Sequence, residues 1–309
     1  MKILVLGGNG FIGTHILDEL LAAGHEVRVF DRGHEVWRKP LPSVNYYLGE
    51  FSNTSMLAEA LQGVAVVIHL ISTTVPSTSN LDPIADIHSN LENSVRLFQL
   101  MESAKVQRIV FLSSGGTVYG IPSVLPIPES HMLDPICSYG IVKVAIEKYL
   151  GMFEFLYGLK PLIVRASNPY GPRQGHQGVQ GVVSTFMHKI LSGETITIWG
   201  DGNTKRDYLY VTDLARICRT AAESDLTGVI NAGSGIGLTL LELVRMIEAA
   251  TGMQAGIEHV AARSYDVPEI VLDIEKAKAL FKWKPEISMQ DGLSLQFDWM
   301  TKNMRRIQI

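Results

Sequence analysis

The first half of the chain alternates short, continuous apolar runs with segments whose apolar residues recur at helical spacing. Residues 2–6 form such a run, which is typical of a strand buried on both faces. Residues 11–23 have the helical spacing, and Gly24 follows them as a C-terminal cap. The same pattern predicts strands at residues 26–30, 64–70, 108–112 and 161–165 and helices at residues 90–104 and 139–157.

This alternation predicts an α/β fold with a doubly wound parallel sheet and right-handed crossovers. The composition changes after Asn168, where Gly, Pro and Gln cluster. The later elements predicted are a helix, a strand and a turn, at residues 182–191, 195–199 and 200–203. We therefore expect a first domain at residues 1–168, to which part of residues 205–245 returns, and a smaller C-terminal α/β lobe at residues 169–309.

Composition and charge exclude several classes of protein. Hydrophobic residues make up 46% of the chain, charged residues 19%, and the net charge is −4. No long run has one sign, so we expect no nucleic-acid partner held through its phosphates. Neither the two cysteines nor the histidines have metal-ligand spacing, so we expect no metal site and a reduced, cytoplasmic setting. The apolar run at residues 64–71 is far too short to cross a bilayer, so no membrane segment is expected.

A glycine-rich turn, Gly7-Gly8-Asn9-Gly10-Phe11-Ile12-Gly13, connects the first predicted strand to the first predicted helix. It satisfies both G-x-x-G-x-x-G and G-x-G-x-x-G, spacings typical of Rossmann-type dinucleotide-binding domains. Gly7 and Gly10 let the backbone approach a pyrophosphate, and Gly13 allows the helix to pack closely on the strand. The helix N-terminus at Phe11 and Ile12 offers N–H groups to the phosphates. A glycine turn that holds no ligand is the alternative interpretation.

Asp31 ends the second predicted strand, 18 residues after Gly13. A carboxylate at this place hydrogen-bonds the adenosine ribose and repels a 2′-phosphate. We therefore expect NAD rather than NADP as the cofactor, although the adjacent Arg32 could weaken this preference.

Tyr139 and Lys143 lie four residues apart in the last long helix predicted for the first domain, so their side chains share one face. The cation favours the phenolate and lowers the tyrosine pKa, which would let Tyr139 act as a base. A fall from about 10 to about 7 takes roughly 4 kcal/mol, more than Lys143 alone is expected to supply. An oxidised nicotinamide would add a second positive charge. By itself the pair is equally typical of a solvated helix face.

These residues and several further motifs resemble the extended short-chain dehydrogenase/reductase superfamily, and within it the nucleotide-sugar epimerase/dehydratase family typified by UDP-glucose 4-epimerase. The resemblance covers nearly the whole chain. The further motifs are His69-Leu70, Asn90, residues 113–120, residues 165–174, Gly200-Asp201-Gly202, Arg206-Asp207-Tyr208 and Arg263.

The resemblance implies additional site residues on the cofactor side. Leu70 and Asn90 are expected to contact NAD together with Tyr139 and Lys143. A Ser or Thr at the end of the strand before residue 120 is expected to bind the reacting sugar hydroxyl and relay its proton to the tyrosine. The candidates are Ser114 and, because neighbouring glycines make the alignment ambiguous, Thr117.

The same family pattern argues against one reaction of the family. Its dehydratase branch has an acidic pair in this turn, which eliminates water, whereas this chain has Gly116 and Thr117 there.

On the substrate side, the resemblance assigns Asn168 to the phosphates of a nucleotide sugar. Arg206 and Arg263 resemble the two arginines that clamp the diphosphate, since a guanidinium fork suits phosphate oxygens. Trp199 is expected near the base, although a core position fits a tryptophan as well. A UDP-sugar is the expected substrate.

The implied activity is NAD-dependent epimerisation at C4 through a transient 4-keto sugar, with Tyr139 taking the hydroxyl proton. A net reductase of a nucleotide 4-keto-6-deoxysugar would use the same residues and is the alternative. A dinucleotide-binding sensor without catalysis is a third hypothesis, disfavoured because both Tyr139 and Lys143 are present.

Three segments depart from the family pattern, and each weakens a prediction of the exact sugar: Glu50-Phe51, Leu70-Ile71-Ser72 and Asn93-Ser94. His69 is expected to be a core histidine beside the cofactor. A homodimer is also implied, formed by the helices at 90–104 and 139–157. Their apolar faces fit such an interface and fit packing on the sheet equally: Leu91, Val95, Phe98 and Met101, and Ile146, Leu150 and Phe153.

Overall fold

The structure is a computed structural model that describes residues 1–175, 181–262 and 267–307. The strands described there are β1 Lys2–Leu6, β2 Glu26–Asp31, β3 Val44–Leu48, β4 Val66–His69, β5 Arg108–Ser114, β6 Lys160–Ala166, β7 Asn168–Tyr170, β8 Ile196–Trp199, β9 Lys205–Tyr210, β10 Gly228–Ala232, β11 Gly237–Thr239, β12 Ile257–Val260 and β13 Glu269–Ile270. The helices described are α1 Phe11–Ala22, α2 Thr54–Ala60, α3 Pro83–Asp86, α4 Asn93–Ser103, α5 Ser138–Tyr157, α6 Val182–Ser192, α7 Val211–Glu223, α8 Leu240–Thr251, α9 Glu275–Phe281 and α10 Met289–Ile307.

Seven parallel strands form the main sheet in the order β10-β6-β5-β4-β1-β2-β3. The α/β doubly wound class predicted from the sequence is confirmed. The strand order reverses beside β1, which pairs with β2 on one side and β4 on the other. Such a reversal opens a crevice at the carboxyl ends of the strands, where α/β proteins bind their ligands.

Two apolar layers hold helices on both faces of this sheet. Along β1, Ile3 and Val5 face the layer that contains α1 and α7, whereas Leu4 and Leu6 face the layer that contains α4 and α5. This alternation follows from the two-residue period of a strand, and it explains why β1 is a continuous apolar run. Each such side chain stabilises the fold by about 1.5–3 kcal/mol.

The apolar helix faces that the sequence analysis considered for a dimer interface pack against the sheet of the same chain. Phe98 and Met101 of α4 are buried in the second layer, as are Ile146, Leu150 and Phe153 of α5. Packing on the sheet is therefore the correct one of the two interpretations for these side chains.

The second lobe consists of small sheets and helices around a separate apolar cluster. In one sheet β9 lies between β11 and β13 and also pairs with β7, and in the other β8 pairs with β12. Helices α6, α8 and α10 contribute to the cluster. Because β7 follows β6 directly and pairs Asn168 with Tyr208, the two lobes meet where β6 ends.

The structure differs from the sequence prediction at several elements. Strand β10, within the stretch 205–245, lies in the main sheet beside β6, and β3 forms its other edge. The sequence analysis missed both strands, because neither Gly228–Ala232 nor Val44–Leu48 is a continuous apolar run. The predicted helix at 90–104 begins earlier, with a π-helical turn at Ile87–Glu92 before α4. The domain boundary at residue 168 stays a prediction. None of the helices in the described ranges is long and apolar enough to cross a membrane.

Candidate active site

A cavity of about 730 Å³ lies at the carboxyl ends of the central strands, between the two lobes. This volume suits a small-molecule or cofactor site. The sequence-predicted residues in its wall are Gly7, Gly10, Phe11, Ile12, Gly13, Leu70, Ser114, Thr117, Tyr139, Lys143, Asn168, Trp199 and Arg206. Two predicted residues, Asp31 and Asn90, are not part of the wall, and Arg263 lies outside the described residues.

The glycine turn fits a dinucleotide pyrophosphate. Gly7 has φ +81°, which side-chain-bearing residues rarely adopt. A methyl group on Gly13 would come within 2.7 Å of the Gly8 Cα, and still closer to the Gly7 carbonyl oxygen. Helix α1 begins after Gly10 without a side-chain cap, so its first N–H groups face the cavity as an anion site.

Asp31 lies at the end of β2 and is tied to the glycine turn. Its Oδ2 accepts a hydrogen bond from the Asn9 backbone N–H at 2.9 Å, and the Asn9 side-chain Nδ2 donates to the Gly33 carbonyl at 2.6 Å. These bonds hold the carboxylate beside the turn, at the distance along the chain that a ribose-binding acid requires.

Tyr139 and Lys143 share one face of α5, but the cation is not paired with the phenol. Lys143 Nζ donates to the Leu112 carbonyl at 2.9 Å and lies 4.7 Å from the centre of the Phe111 ring and 5.6 Å from that of Tyr139. The Tyr139 hydroxyl instead shares a hydrogen bond with Ser72.

Burial dominates the pKa values of this pair. Burial raises the pKa of the Tyr139 phenol to about 12, and the nearby Asp86 acts in the same direction. Burial lowers the pKa of the Lys143 ammonium to about 8, against the effect of the Glu147 and Asp86 carboxylates. Desolvation therefore has the largest effect on the Tyr139 pKa, and Lys143 alone does not offset it.

Three buried hydroxyls of the cavity wall have no hydrogen-bond partner among the described residues: Thr117 Oγ1, Ser167 Oγ and the Tyr208 hydroxyl. Buried polar atoms normally have partners, so these three hydroxyls are candidates for contact with a polar ligand. Both Ser114 and Thr117 reach the wall, and both stay candidates for the catalytic hydroxyl.

Sequence reasoning missed Ser72, Ser167 and Tyr208 as site residues. Ser167 precedes Asn168, and Tyr208 lies two residues after Arg206 on the same strand. The signal available in the sequence for Ser167 and Tyr208 was therefore their position beside these two motif residues. Ser72 was noted only as a departure from the family pattern.

On the substrate side, backbone contacts fix the predicted residues. Asn168 Nδ2 donates to the Asp207 carbonyl at 2.9 Å, and Arg206 Nη1 donates to the Lys205 and Val267 carbonyls, each at 2.8 Å. Trp199 is 44% exposed, at the end of β8, so it is a surface residue at the cavity and not a core residue.

The charges of the wall have one sign. Among its described residues the charged side chains are Lys143 and Arg206, and no aspartate or glutamate is present. Such a wall suits an anionic ligand and offers no carboxylic acid to a reacting group.

Comparison with known proteins identifies the family. A family model described as the NAD dependent epimerase/dehydratase family matches residues 3–233. The chain belongs to this family. The sequence-based assignment to the epimerase/dehydratase family, with NAD as its cofactor, is thereby confirmed.

Relatives within the epimerase/dehydratase family cover the whole chain. A crystal structure of UDP-glucose 4-epimerase from Thermotoga maritima with UDP-glucose is 34% identical, covers 98% of this chain and 100% of that one, and has a TM-score of 0.91. The UDP-glucose 4-epimerase of Mycolicibacterium smegmatis is 33% identical over 95% of this chain and 96% of its own length. The dTDP-4-dehydro-6-deoxyglucose reductase of Escherichia coli is 32% identical over 98% of this chain and 97% of its own length.

Proposed function

We propose that this protein is an NAD-dependent epimerase that inverts C4 of a UDP-sugar. The observation that carries the proposal is one cavity in which the glycine turn, Tyr139, Lys143 and the hydroxyls of Ser114 and Thr117 meet. The similarity to two UDP-glucose 4-epimerases supports it.

The residues of the chain divide into holding and reacting groups. The glycine turn would hold the pyrophosphate of NAD, and Asp31 and Lys143 the two riboses. When bound, NAD supplies the acceptor and later the donor of the C4 hydride. Tyr139 would remove the proton of the C4 hydroxyl, which Ser114 or Thr117 orients, and would return it to the C4 oxygen. Between the two proton transfers the 4-keto sugar turns over in the cavity, so that the hydride returns to the other face of C4.

The raised pKa of Tyr139 sets a requirement on this mechanism. A phenol whose pKa is about 12 is almost entirely protonated at neutral pH. The positive charge of an oxidised nicotinamide beside the phenol would favour the phenolate, together with Lys143. We therefore expect Tyr139 to become a base only after the cofactor is bound.

One feature of the wall favours epimerisation over dehydration, and another suits a nucleotide sugar. The absence of a carboxylate among the described wall residues leaves no general acid for loss of water. Arg206 supplies positive charge for a diphosphate, and Trp199 offers an exposed ring on which a base could stack. We assign to the sugar the hydroxyls of Ser167 and Tyr208, for which the described part of the chain offers no hydrogen-bond partner.

The second candidate is a reductase of a nucleotide 4-keto-6-deoxysugar, favoured by the 32% identity to the Escherichia coli reductase. It differs in the fate of the cofactor, since a reductase releases NAD(P) after each turnover whereas an epimerase ends with the cofactor it began with.

The experiment that separates the two uses no added reductant. The purified protein is incubated with UDP-, dTDP- and GDP-sugars, and the configuration at C4 is followed by NMR. We expect inversion with a UDP-sugar and expect the Tyr139→Phe variant to lose about 10²–10⁴-fold in kcat. Tyr157→Phe, on the same helix but outside the cavity, is the matched control. A second incubation adds NADPH and a nucleotide 4-keto-6-deoxysugar. Stoichiometric oxidation of NADPH there, with no inversion in the first incubation, would establish the reductase.

We also infer a homodimer formed through α5 and the turn before α4, in a protein that works in the cytoplasm. The outer faces of α5, of α3 and of the turn before α4 expose apolar side chains: Ile84, Ile87, Ile141, Met152, Phe155 and Leu156. A second copy would cover them by an isologous contact. Sedimentation of Phe155→Glu should show a monomer, whereas Leu280→Glu, an exposed leucine on α9, should leave a dimer.

A further inference from the structure

The N-terminus of the helix that carries Tyr139 is capped from a different segment. The backbone N–H of Ser138 donates to Asn80 Oδ1 at 2.9 Å, and that of Tyr139 donates to Ser79 Oγ at 3.1 Å. Ser138 Oγ donates to Asp86 Oδ2 at 2.7 Å. These contacts set the position of the first turn of α5, and therefore of the phenol.

The other oxygen of the same carboxylate binds the segment that follows Ser72. Asp86 Oδ1 accepts from Thr74 Oγ1 at 2.7 Å and from Asn90 Nδ2 at 2.8 Å. Asn90 Oδ1 in turn accepts from the Thr73 N–H at 2.9 Å. Ser72, which directly precedes these residues, donates to the Thr74 carbonyl at 3.0 Å and is the hydrogen-bond partner of the Tyr139 phenol.

Asp86 thus joins two segments that are 52 positions apart at Ser138. Its side chain is fully buried, and each of its three side-chain partners donates a hydrogen bond to it. A buried carboxylate is costly unless its oxygens are satisfied, and a neutral polar residue would avoid that cost. We therefore expect the hydrogen bonds that the Asp86 carboxylate accepts to contribute to the geometry of the site.

We infer that Asp86 is a positioning residue for the C4 reaction, which holds the helix of Tyr139 and the segment of Ser72 in one arrangement. This inference rests on the proposed function, in which Tyr139 is the base. Asn90 has the same duty through Thr73, which explains why it lies outside the cavity wall although its motif matches the family.

Asp86 also has an electrostatic effect on the phenol. The charged and titratable groups around Tyr139 are Lys143 on its own helix, Cys137 just before it and Asp86, while His69 and Glu147 face Lys143. The Asp86 carboxylate opposes the phenolate and so raises the Tyr139 pKa. The hydrogen bonds of Asp86 therefore support the activity of Tyr139, whereas the charge of Asp86 opposes formation of the phenolate. Substitutions of Asp86 can separate these two effects.

The test compares Asp86→Ala, Asp86→Asn and Ser138→Ala in the cofactor-loaded protein. Loss of the shared acceptor in Asp86→Ala should lower kcat about tenfold or more with KM changed less than about twofold, since small misplacements of reacting groups have large effects on rate. Ser138→Ala removes only one of these hydrogen bonds and should also lower kcat. It therefore tests the inference even if Asp86→Ala does not fold. Asp82→Ala, which removes the exposed cap of α3 from the same segment, is the matched control and should leave kcat unchanged.

Asp86→Asn retains an amide able to bond Thr74 and Asn90 but removes the charge. We expect the acidic limb of the kcat profile to move to lower pH, because the Tyr139 pKa falls. The ultraviolet titration of the loaded protein, minus that of its Tyr139→Phe variant, reports the same phenol without any sugar turnover. If the phenol titrates identically in wild type and Asp86→Asn, or if Asp86→Ala retains full kcat, the inference is overturned. An active Tyr139→Phe would instead reject the proposed function, and the titration would still report the coupling.

Discussion

The buried imidazole of His69 should make the stability of the protein depend on pH. The His69 ring is 1% exposed at the end of β4 and lies 5.3 Å from the rings of both Phe51 and Phe111. Nε2 lies 3.0 Å from Ser94 Oγ, which donates to the Asn90 carbonyl, so Nε2 carries the proton and donates. Nδ1 is buried without a partner among the described residues.

Protonation of Nδ1 would place a cation among aromatic rings and near Lys143. Burial accordingly lowers the pKa of His69 from 6.5 to about 3, with the Lys143 charge acting in the same direction. The unfolded chain binds this proton at its ordinary pKa, but the folded chain does not. The stability is therefore fully present above about pH 6.5 and decreases as the pH falls toward about 3.

The magnitude follows from the proton that the unfolded state gains. Between about pH 7.5 and pH 5, that gain lowers the free energy of unfolding by about 2 kcal/mol for a group with an unfolded pKa near 6.5. His15, whose pKa burial lowers to about 4, contributes a similar amount in this range. The two histidines together should lower the free energy by about 4 kcal/mol.

Equilibrium unfolding in urea at both pH values measures this linkage. The decrease for His69→Gln should be about 2 kcal/mol smaller than for the wild type, whatever the variant loses in packing at pH 7.5. His34→Gln, at an exposed histidine, should show the full wild-type decrease. Equal decreases for His69→Gln and the wild type would show that His69 is accessible to protons in the folded chain.

Three further predictions concern the cofactor turn and the core below the site. Gly13→Ala should weaken NADH binding by about tenfold or more in a fluorescence titration, because the added methyl collides with the Gly7 carbonyl; unchanged binding would contradict the predicted role of the turn. Asp31→Ser should reduce the preference for NADH over NADPH by about tenfold, and an unaltered ratio of dissociation constants would remove Asp31 from the ribose site. Arg165→Met should lower the free energy of unfolding by about 3–5 kcal/mol, because Glu147, paired with Arg165 at 2.6 Å and 4% exposed, would be left charged and buried. Adding Glu147→Gln should restore most of that loss, and no restoration would refute the pairing argument.

The sequence by itself determined the elements whose signal is local. The glycine turn and Asp31 are recognised by spacing along the chain, and β1 and α1 by the period of their apolar residues. The Tyr139 and Lys143 pair is likewise local, since one helix turn brings them to one face. For such features the covalent chain and the geometry of regular structure suffice.

Only the tertiary structure decided which distant groups meet. It placed β10 beside β6, joined Asp86 to Ser138, and set the hydroxyls of Ser167 and Tyr208 in one cavity wall. It also set the burial that raises the Tyr139 pKa, because desolvation depends on everything packed around a group and not on its neighbours in sequence. These contacts depend on long-range packing, for which a single sequence contains no local period or spacing.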